Sequence, residues 1–183
     1  MRIISGQFGG RQIVFPKNFP VRPTTDYAKN GLFNILQNRF HFESLSVLDL
    51  FSGAGGISME FLSRGAKELI AVDSDIRCSK FLKELFQSYG LTHARTVKSD
   101  SLSFIERCTI SFDIVFADPP FAFPKTKLIP DLIFSKQLVK TGGLLIVEHG
   151  KANAFESHPQ FVEQRAYGEV RFSIFEPTPE PQA

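Results

Sequence analysis

From Ser46 onward, short apolar runs alternate along the chain with longer segments in which apolar residues recur at helical spacing. Residues 47–50, 69–72, 112–117 and 144–147 predict buried strands, whereas 57–63 and 76–89 predict helices, the second with Phe81, Leu82, Leu85 and Phe86 on one face. Strands and helices in alternation argue for a parallel sheet covered on both faces. At the far end, residues 161–167 and 170–175 are strand-like runs separated by Gly168 and Glu169, which predicts an antiparallel hairpin closing the sheet. Ahead of the sheet, Thr24 or Thr25 can cap a helix running to about Arg39, with Leu32, Phe33, Ile35 and Leu36 as its apolar face. Residues 1–20 look like two short strands broken at Gly9-Gly10. The expected organisation is an appended front end, residues 1–43, on an α/β body, 44–177, with a Pro-rich tail, 178–183, that frays because prolines cannot build a strand ladder.

Composition narrows the class. At 183 residues, 43% hydrophobic and 22% charged, the chain is of a size for one folded domain, and no apolar run is long enough for a membrane span. The opening residues place glycines and two arginines where a secretory signal needs a continuous apolar stretch, so export is not expected. Cys78 and Cys108 form no CxxC pair, which fits a reduced, cytoplasmic setting better than a disulfide framework or zinc site. Net charge is only +2, but it is unevenly placed: Arg2, Arg11, Lys17, Arg22, Lys29 and Arg39 face only Asp26 and Glu43, so residues 1–43 carry +4 and the remainder −2. A basic front end suits phosphate contacts, although an ordinary solvated segment has the same composition.

The segment Val47-Leu-Asp-Leu-Phe-Ser-Gly-Ala-Gly-Gly-Ile-Ser-Met-Glu60 puts a glycine-rich turn between the first strand and a helix, where open α/β sheets bind ligands. Gly53 and Gly55 allow a tight turn and close backbone approach, with Phe51 and Ser52 in the same turn. A dinucleotide fingerprint needs a third glycine where Ser58 stands, and a phosphate-binding P-loop needs a Gly-Lys-Ser/Thr that is missing. Asp49 disfavours a pyrophosphate and suits a cofactor bearing an ammonium and a sulfonium, which points to S-adenosyl-L-methionine; capping the loop amides is its alternative role. Asp73, followed by Ser74, closes the second strand at the position from which a carboxylate accepts ribose hydroxyls. Asp100, followed by Ser101, is expected at the end of a third strand, within reach of an adenine amine.

Asp118-Pro119-Pro120-Phe121 follows a strand and so falls on the same sheet edge as the glycine turn. An amine on an aromatic base is a weak nucleophile because its lone pair is delocalised into the ring. Acceptors at the Asp118 side chain and the Pro119 carbonyl, held rigid by paired prolines, would localise that lone pair by taking its N–H groups. Phe121 supplies a stacking face for a base that has been exposed or flipped. Asp-Pro-Pro alone reads as a rigid turn; beside the glycine loop it reads as an amine-methylating site. No metal is expected, since His41, His93, His149 and His158 make no ligating pair, and without Gly-x-Ser-x-Gly a serine hydrolase is disfavoured. Glu148 and His149 read as structural or substrate-edge residues.

These residues resemble the RsmD family of ribosomal RNA guanine-N2 methyltransferases over nearly the whole chain. The resemblance lies in Met1-Arg-Ile-Ile-Ser-Gly6, Arg22-Pro-Thr-Thr-Asp26 with Leu32-Phe-Asn34, Asp49-Leu-Phe-Ser-Gly-Ala-Gly55 with Glu60, Ser63-Arg-Gly-Ala66, and Asp118-Pro-Pro-Phe121. It implies a Rossmann-like class I methyltransferase fold with a mostly parallel seven-stranded sheet, an antiparallel C-terminal hairpin and an N-terminal hairpin-and-helix extension. It also implies S-adenosyl-L-methionine as cofactor, 16S ribosomal RNA as partner in the small subunit or an assembling particle, and neither membrane nor metal. By matching position, Arg22, Pro23 and Thr24 lie beside the active site and Asp49, Gly53, Gly55, Asp73 and Asp100 at the cofactor; on the basic extension, Arg2 and Arg11 are expected to contact RNA phosphates. The chain departs from the family at Tyr27, Asn30 and Gly31, where a basic residue, an acid and a small helix former are usual, and at Ser58, which replaces a common glycine. DNA adenine-N6 methylation, a non-catalytic nucleoside site and an NAD-dependent oxidoreductase are the competing expectations. Little room for a target-recognition domain, the complete tetrapeptide and the missing third glycine respectively weigh against them.

Overall fold

The computed structural model describes residues 1–16, 19 and 24–178. A helix α1 (Asp26–Gln37) and a single 3-10 turn (Phe42–Ser44) precede β1 (Ser46–Leu50). The chain then alternates: α2 (Gly56–Ser63), β2 (Glu68–Asp73), α3 (Ile76–Ser88), β3 (Ala94–Lys98), α4 (Ser101–Arg107) and β4 (Phe112–Ala117). After a second 3-10 turn (Thr126–Leu128) come α5 (Ile129–Ser135), β5 (Val139–His149), β6 (Phe161–Tyr167) and β7 (Val170–Phe175). The strands form one seven-stranded sheet in the order β3-β2-β1-β4-β5-β7-β6, parallel from β3 to β5, with β7 antiparallel to β5 and β6 antiparallel to β7. This bears out the expected Rossmann-like architecture with its C-terminal hairpin.

Side chains alternate across a strand, so each central strand feeds two cores. Val47, Leu69, Ala71, Ile114, Phe116, Leu144 and Ile146 pack on the face covered by α1, α2 and α3. Leu48, Leu50, Ile70, Val72, Val115, Ala117, Leu145 and Val147 pack with Ile105 of α4 and with Ile129 and Ile133 of α5 on the other. The same alternation sends Asp49, Asp118 and Glu148 toward the first face.

The front end departs from expectation in one respect. Among the described residues of 1–20, the two expected strands are reduced to a single antiparallel bridge, Arg2 with Gln12, flanked by backbone bonds from Ile3 N to Arg11 O (3.0 Å) and from Gly10 N to Ile3 O (2.8 Å). Turn residues between them bond the end of α2 instead: Gln7 N donates to Ser63 O at 2.7 Å and Phe8 N to Ser63 Oγ at 3.0 Å. Ile3 and Ile13 are buried in the first core, so apolar docking on the body replaces a longer ladder. Residues 17, 18, 20–23 and 179–183 lie outside the described residues, and with them Arg22, Pro23 and all of the expected fraying tail except Thr178.

Candidate active site

The strand order reverses between β1 and β4, and ligands of open α/β sheets bind outside the carboxyl ends of the strands at such a point. A cavity of about 840 Å³ opens there, lined by residues from the glycine turn, the ends of β2, β4 and β5, the start of α1 and the β6–β7 turn.

The glycine turn is held by its own backbone conformation and by Asp73. Phe51, Gly53 and Gly55 all have left-handed backbone, with φ of 60°, 52° and 78°. For Phe51 that conformation costs about 1–3 kcal/mol, the kind of strain found at ligand-binding turns. Gly55 opens α2 with a left-handed backbone that favours glycine, and a Cβ on it would fall 2.2 Å from Leu82 Cδ2, which would have to shift. Asp73 ties the turn down: one carboxylate oxygen accepts from Gly53 N (2.8 Å) and the other from Asp75 N (2.8 Å). A carboxylate has about four lone-pair sites, so capacity remains for further donors. Ser52 Oγ, on the cavity wall, is the one buried side-chain polar atom without a hydrogen-bond partner among the described residues. Leaving a hydroxyl so placed unsatisfied costs about 1–3 kcal/mol.

Deeper in the cavity stand Asp49, Asp118 and Glu148. Asp49 is 1% exposed and accepts a short hydrogen bond from Ser58 Oγ. Burial, only partly offset by that bond, pushes its carboxyl up to about 7. Asp118 continues the β1–β4 ladder, its N–H donating to Leu50 O at 3.2 Å; burial first, then the charges of Glu148 and Asp49, raise it well above the usual carboxylate range. Glu148, 3% exposed, takes a hydrogen bond from Thr24 Oγ1 at 3.0 Å, and burial pushes it up to about 7. No lysine or arginine among the described residues pairs with any of the three. Cys78 closes part of the wall as an inert thiol, pushed up to about 12 chiefly by burial.

Aromatic rings frame the mouth. Phe121 is 52% exposed and lines the cavity beside Gly150. Opposite, Tyr27 meets Tyr167 edge-on, centroids 5.5 Å apart, and both line the cavity. A Cβ on Gly31 would lie 2.1 Å from the Tyr167 ring, so the Gly31 departure makes room for that ring.

The family model described as Conserved hypothetical protein 95 matches residues 1–176. The chain belongs to that family. The RsmD resemblance holds: Ribosomal RNA small subunit methyltransferase D of Escherichia coli (strain K12) is 28% identical over 179 residues, 96% of this chain and 89% of its own length. The solved structure of yhhF from Escherichia coli, 28% identical, superposes with a TM-score of 0.84 over 97% of each chain. A more distant structure, the Thermus thermophilus 16S rRNA N2 G1207 methyltransferase RsmC in complex with AdoMet and guanosine, shares the fold at 21% identity, with a TM-score of 0.67 over 85% of this chain and 44% of that one.

In this member of the family the expected site residues are only partly gathered. Asp49, Phe51, Ser52, Gly53, Asp73, Ser74, Asp118, Pro119, Pro120, Phe121 and Thr24 share the cavity. Gly55 lies behind the wall, and Asp100 and Ser101 are not on it: Asp100 caps α4, accepting from Ser103 N at 2.9 Å. Arg2 pairs with Asp26 at 3.1 Å, and the Arg11 guanidinium sits 5.3 Å and 5.5 Å from the Phe8 and Tyr89 ring centroids. Lys29 is buried and Arg39 pairs with Glu176, so much of the front-end charge is engaged within the protein. The Ser58 departure is absorbed as the hydroxyl that orients Asp49. Glu148 and Tyr167 are the residues that sequence reasoning underweighted. Glu148 shares its strand-end position and side-chain parity with Asp118, but that signal appears only once the register of β4 and β5 is known. His149 faces the other core, its ring nitrogens bonded to Ser173 Oγ and Gly150 O, both at 2.8 Å. Among the described residues no group of His, Cys, Asp and Glu could hold a metal, and no helix is long and apolar enough to cross a membrane.

Proposed function

We propose that the chain transfers the methyl group of S-adenosyl-L-methionine to the exocyclic N2 amine of one guanine in 16S ribosomal RNA. The observation that carries this reading is Asp118-Pro-Pro-Phe121 at the mouth of a switch-point cavity whose buried acids have no cationic partner among the described residues. Such a wall suits a ligand carrying an ammonium and a sulfonium and repels phosphates. Bound there, the cofactor supplies an electrophilic methyl group. Ser52 and Asp49 are suited to its amino-acid portion, and the free lone pairs of Asp73 to its ribose hydroxyls. Asp100 and Ser101 are the weakest members of the expected cofactor set.

On the acceptor side, the Asp118 carboxylate and the Pro119 carbonyl take the N–H groups of the target amine, and Pro120 restricts the backbone so that these acceptors stay aimed. Phe121 stacks on the base. Residues 1–43 are the RNA-facing extension, with Arg2, Arg11, Arg22, Pro23 and Thr24 at or near the RNA, and the protein works in the cytoplasm, where assembling small subunits are found. Incubation with labelled S-adenosylmethionine and undermethylated small subunits is expected to label N2 of a guanine; label confined to adenine in DNA overturns the reading.

A further inference from the structure

The acceptor half of the cavity holds one carboxylate more than the methyl transfer needs. Glu148 stands on the strand beside Asp118. Ala117 and Val147 are partners in the parallel β4–β5 ladder, so the next residues on each strand are neighbours, on strands about 4.8 Å apart. Both line the same cavity. Thr24 Oγ1 holds one oxygen of Glu148, and no donor among the described residues is bonded to the other. Phe116, the residue two before Asp118, and Ile146, the residue two before Glu148, pack in one core, which fixes the face on which the two acids stand.

We propose that Glu148 reads the Watson–Crick edge of the target base, its carboxylate accepting N1–H of guanine while Asp118 and Pro119 engage the adjacent N2 amine. This rests on the guanine-N2 reading and gives it a source of base specificity. Guanine presents N1–H and the N2 amine side by side, a row of donors that matches neighbouring acceptors. Adenine presents a bare N1 beside its amine, and a carboxylate facing that lone pair repels it. The tetrapeptide thus selects an amine, and Glu148 selects the purine that carries it. Thr24 positions Glu148, which connects the start of α1 to base choice. A purely structural role, tethering Thr24 alone, makes a different prediction.

Binding of guanosine and of 2-aminopurine riboside, which keeps the amine on C2 but lacks N1–H, distinguishes the two. The whole chain, Glu148→Gln and Glu148→Ala are titrated with each nucleoside in the presence of S-adenosylhomocysteine. Losing a charged hydrogen-bond acceptor should weaken guanosine binding to Glu148→Ala by roughly ten- to hundredfold. Binding of 2-aminopurine riboside should not weaken and should tighten by up to a few-fold as the carboxylate facing its bare N1 is removed, so the two changes fail to add. Glu148→Gln, which keeps an oxygen acceptor without the charge, should fall between. Equal weakening of both nucleosides, no weakening of either, or a wild-type chain that does not prefer guanosine overturns the proposal. If Glu148→Ala no longer binds S-adenosylhomocysteine, the isosteric Glu148→Gln decides by the same criterion. Absence of guanine labelling in small subunits by the wild-type chain defeats the guanine-N2 reading itself. Guanine labelling together with an equal response of the two nucleosides removes only Glu148 from it.

Discussion

Glu60 and Glu148 are both sealed inside the protein, and they are kept in opposite ways. Glu60, on α2, is met by Lys29 Nζ at 3.2 Å, Arg64 Nη1 at 2.5 Å and Ile4 N at 2.6 Å, and Lys29 also donates to Arg2 O. Its charge is fully answered, and the answering groups come from the front end, α1 and the end of α2. The network therefore fastens the extension to the body. Glu148 has a single hydroxyl donor and two acids for company. A buried charge that is compensated does structural work, whereas one left with spare acceptors beside a cavity waits for a ligand.

The largest effect that tests this contrast is on stability. Glu60→Ala leaves Lys29 buried without its carboxylate and should cost about 3–5 kcal/mol in urea denaturation, while Glu148→Gln should be neutral or stabilising. Similar losses from both would erase the distinction. Next, Asp118→Ala should lower single-turnover methyl transfer by about 10²–10³-fold while calorimetric binding of S-adenosylmethionine is retained. Loss of both to the same degree would make Asp118 structural.

Smaller effects follow from pH. Burial raises Asp49 and Glu148 to about 7, so between about pH 4 and 7 the folded chain holds protons that the unfolded chain has released. Their contribution to stability is full below that window and is lost as pH rises through about 7. The ligand-free melting temperature should therefore fall from about pH 4 to 7 and level off above that, less so in Asp49→Asn, while affinity for the cationic cofactor rises as the folded carboxyls ionise around pH 7. A flat profile for both quantities removes the acids from cofactor binding. The smallest expected effect concerns the front end. Replacing Arg2 and Arg11 with Ala should weaken RNA binding modestly and make its salt dependence shallower by about 0.7–0.9 per lost phosphate contact. Unchanged affinity confines both arginines to their contacts with Asp26, Phe8 and Tyr89.

Much of the fold was legible because apolar periodicity reports burial directly. The central runs 47–50, 69–72 and 112–117 coincide with β1, β2 and β4 to within a residue. Two of the helices, α4 and α5, have seven residues each, too few turns for a periodic signal, and β3 is an edge strand with polar Arg95 and Lys98 breaking its apolar run. The strands expected in the front end failed for a related reason: their isoleucines pair with the body's core more than with each other. At the site, Asp100 occupies the anticipated strand end, but a helix cap was an equally good use for its carboxylate, and local sequence does not choose between them.

By itself the sequence determined the central strands, the glycine turn and the Asp118-Pro-Pro-Phe121 tetrapeptide that follows a strand, because each depends on residues close together in the chain. Only the tertiary structure decided which acids face one another. The parallel register of β4 with β5 brings Asp118 beside Glu148. Helix α2 turns Ser58 onto Asp49, and α1 delivers Thr24 to Glu148 across 124 residues. Charges buried without counter-charges are a property of such an arrangement, since burial and pairing are set by neighbours distant in sequence.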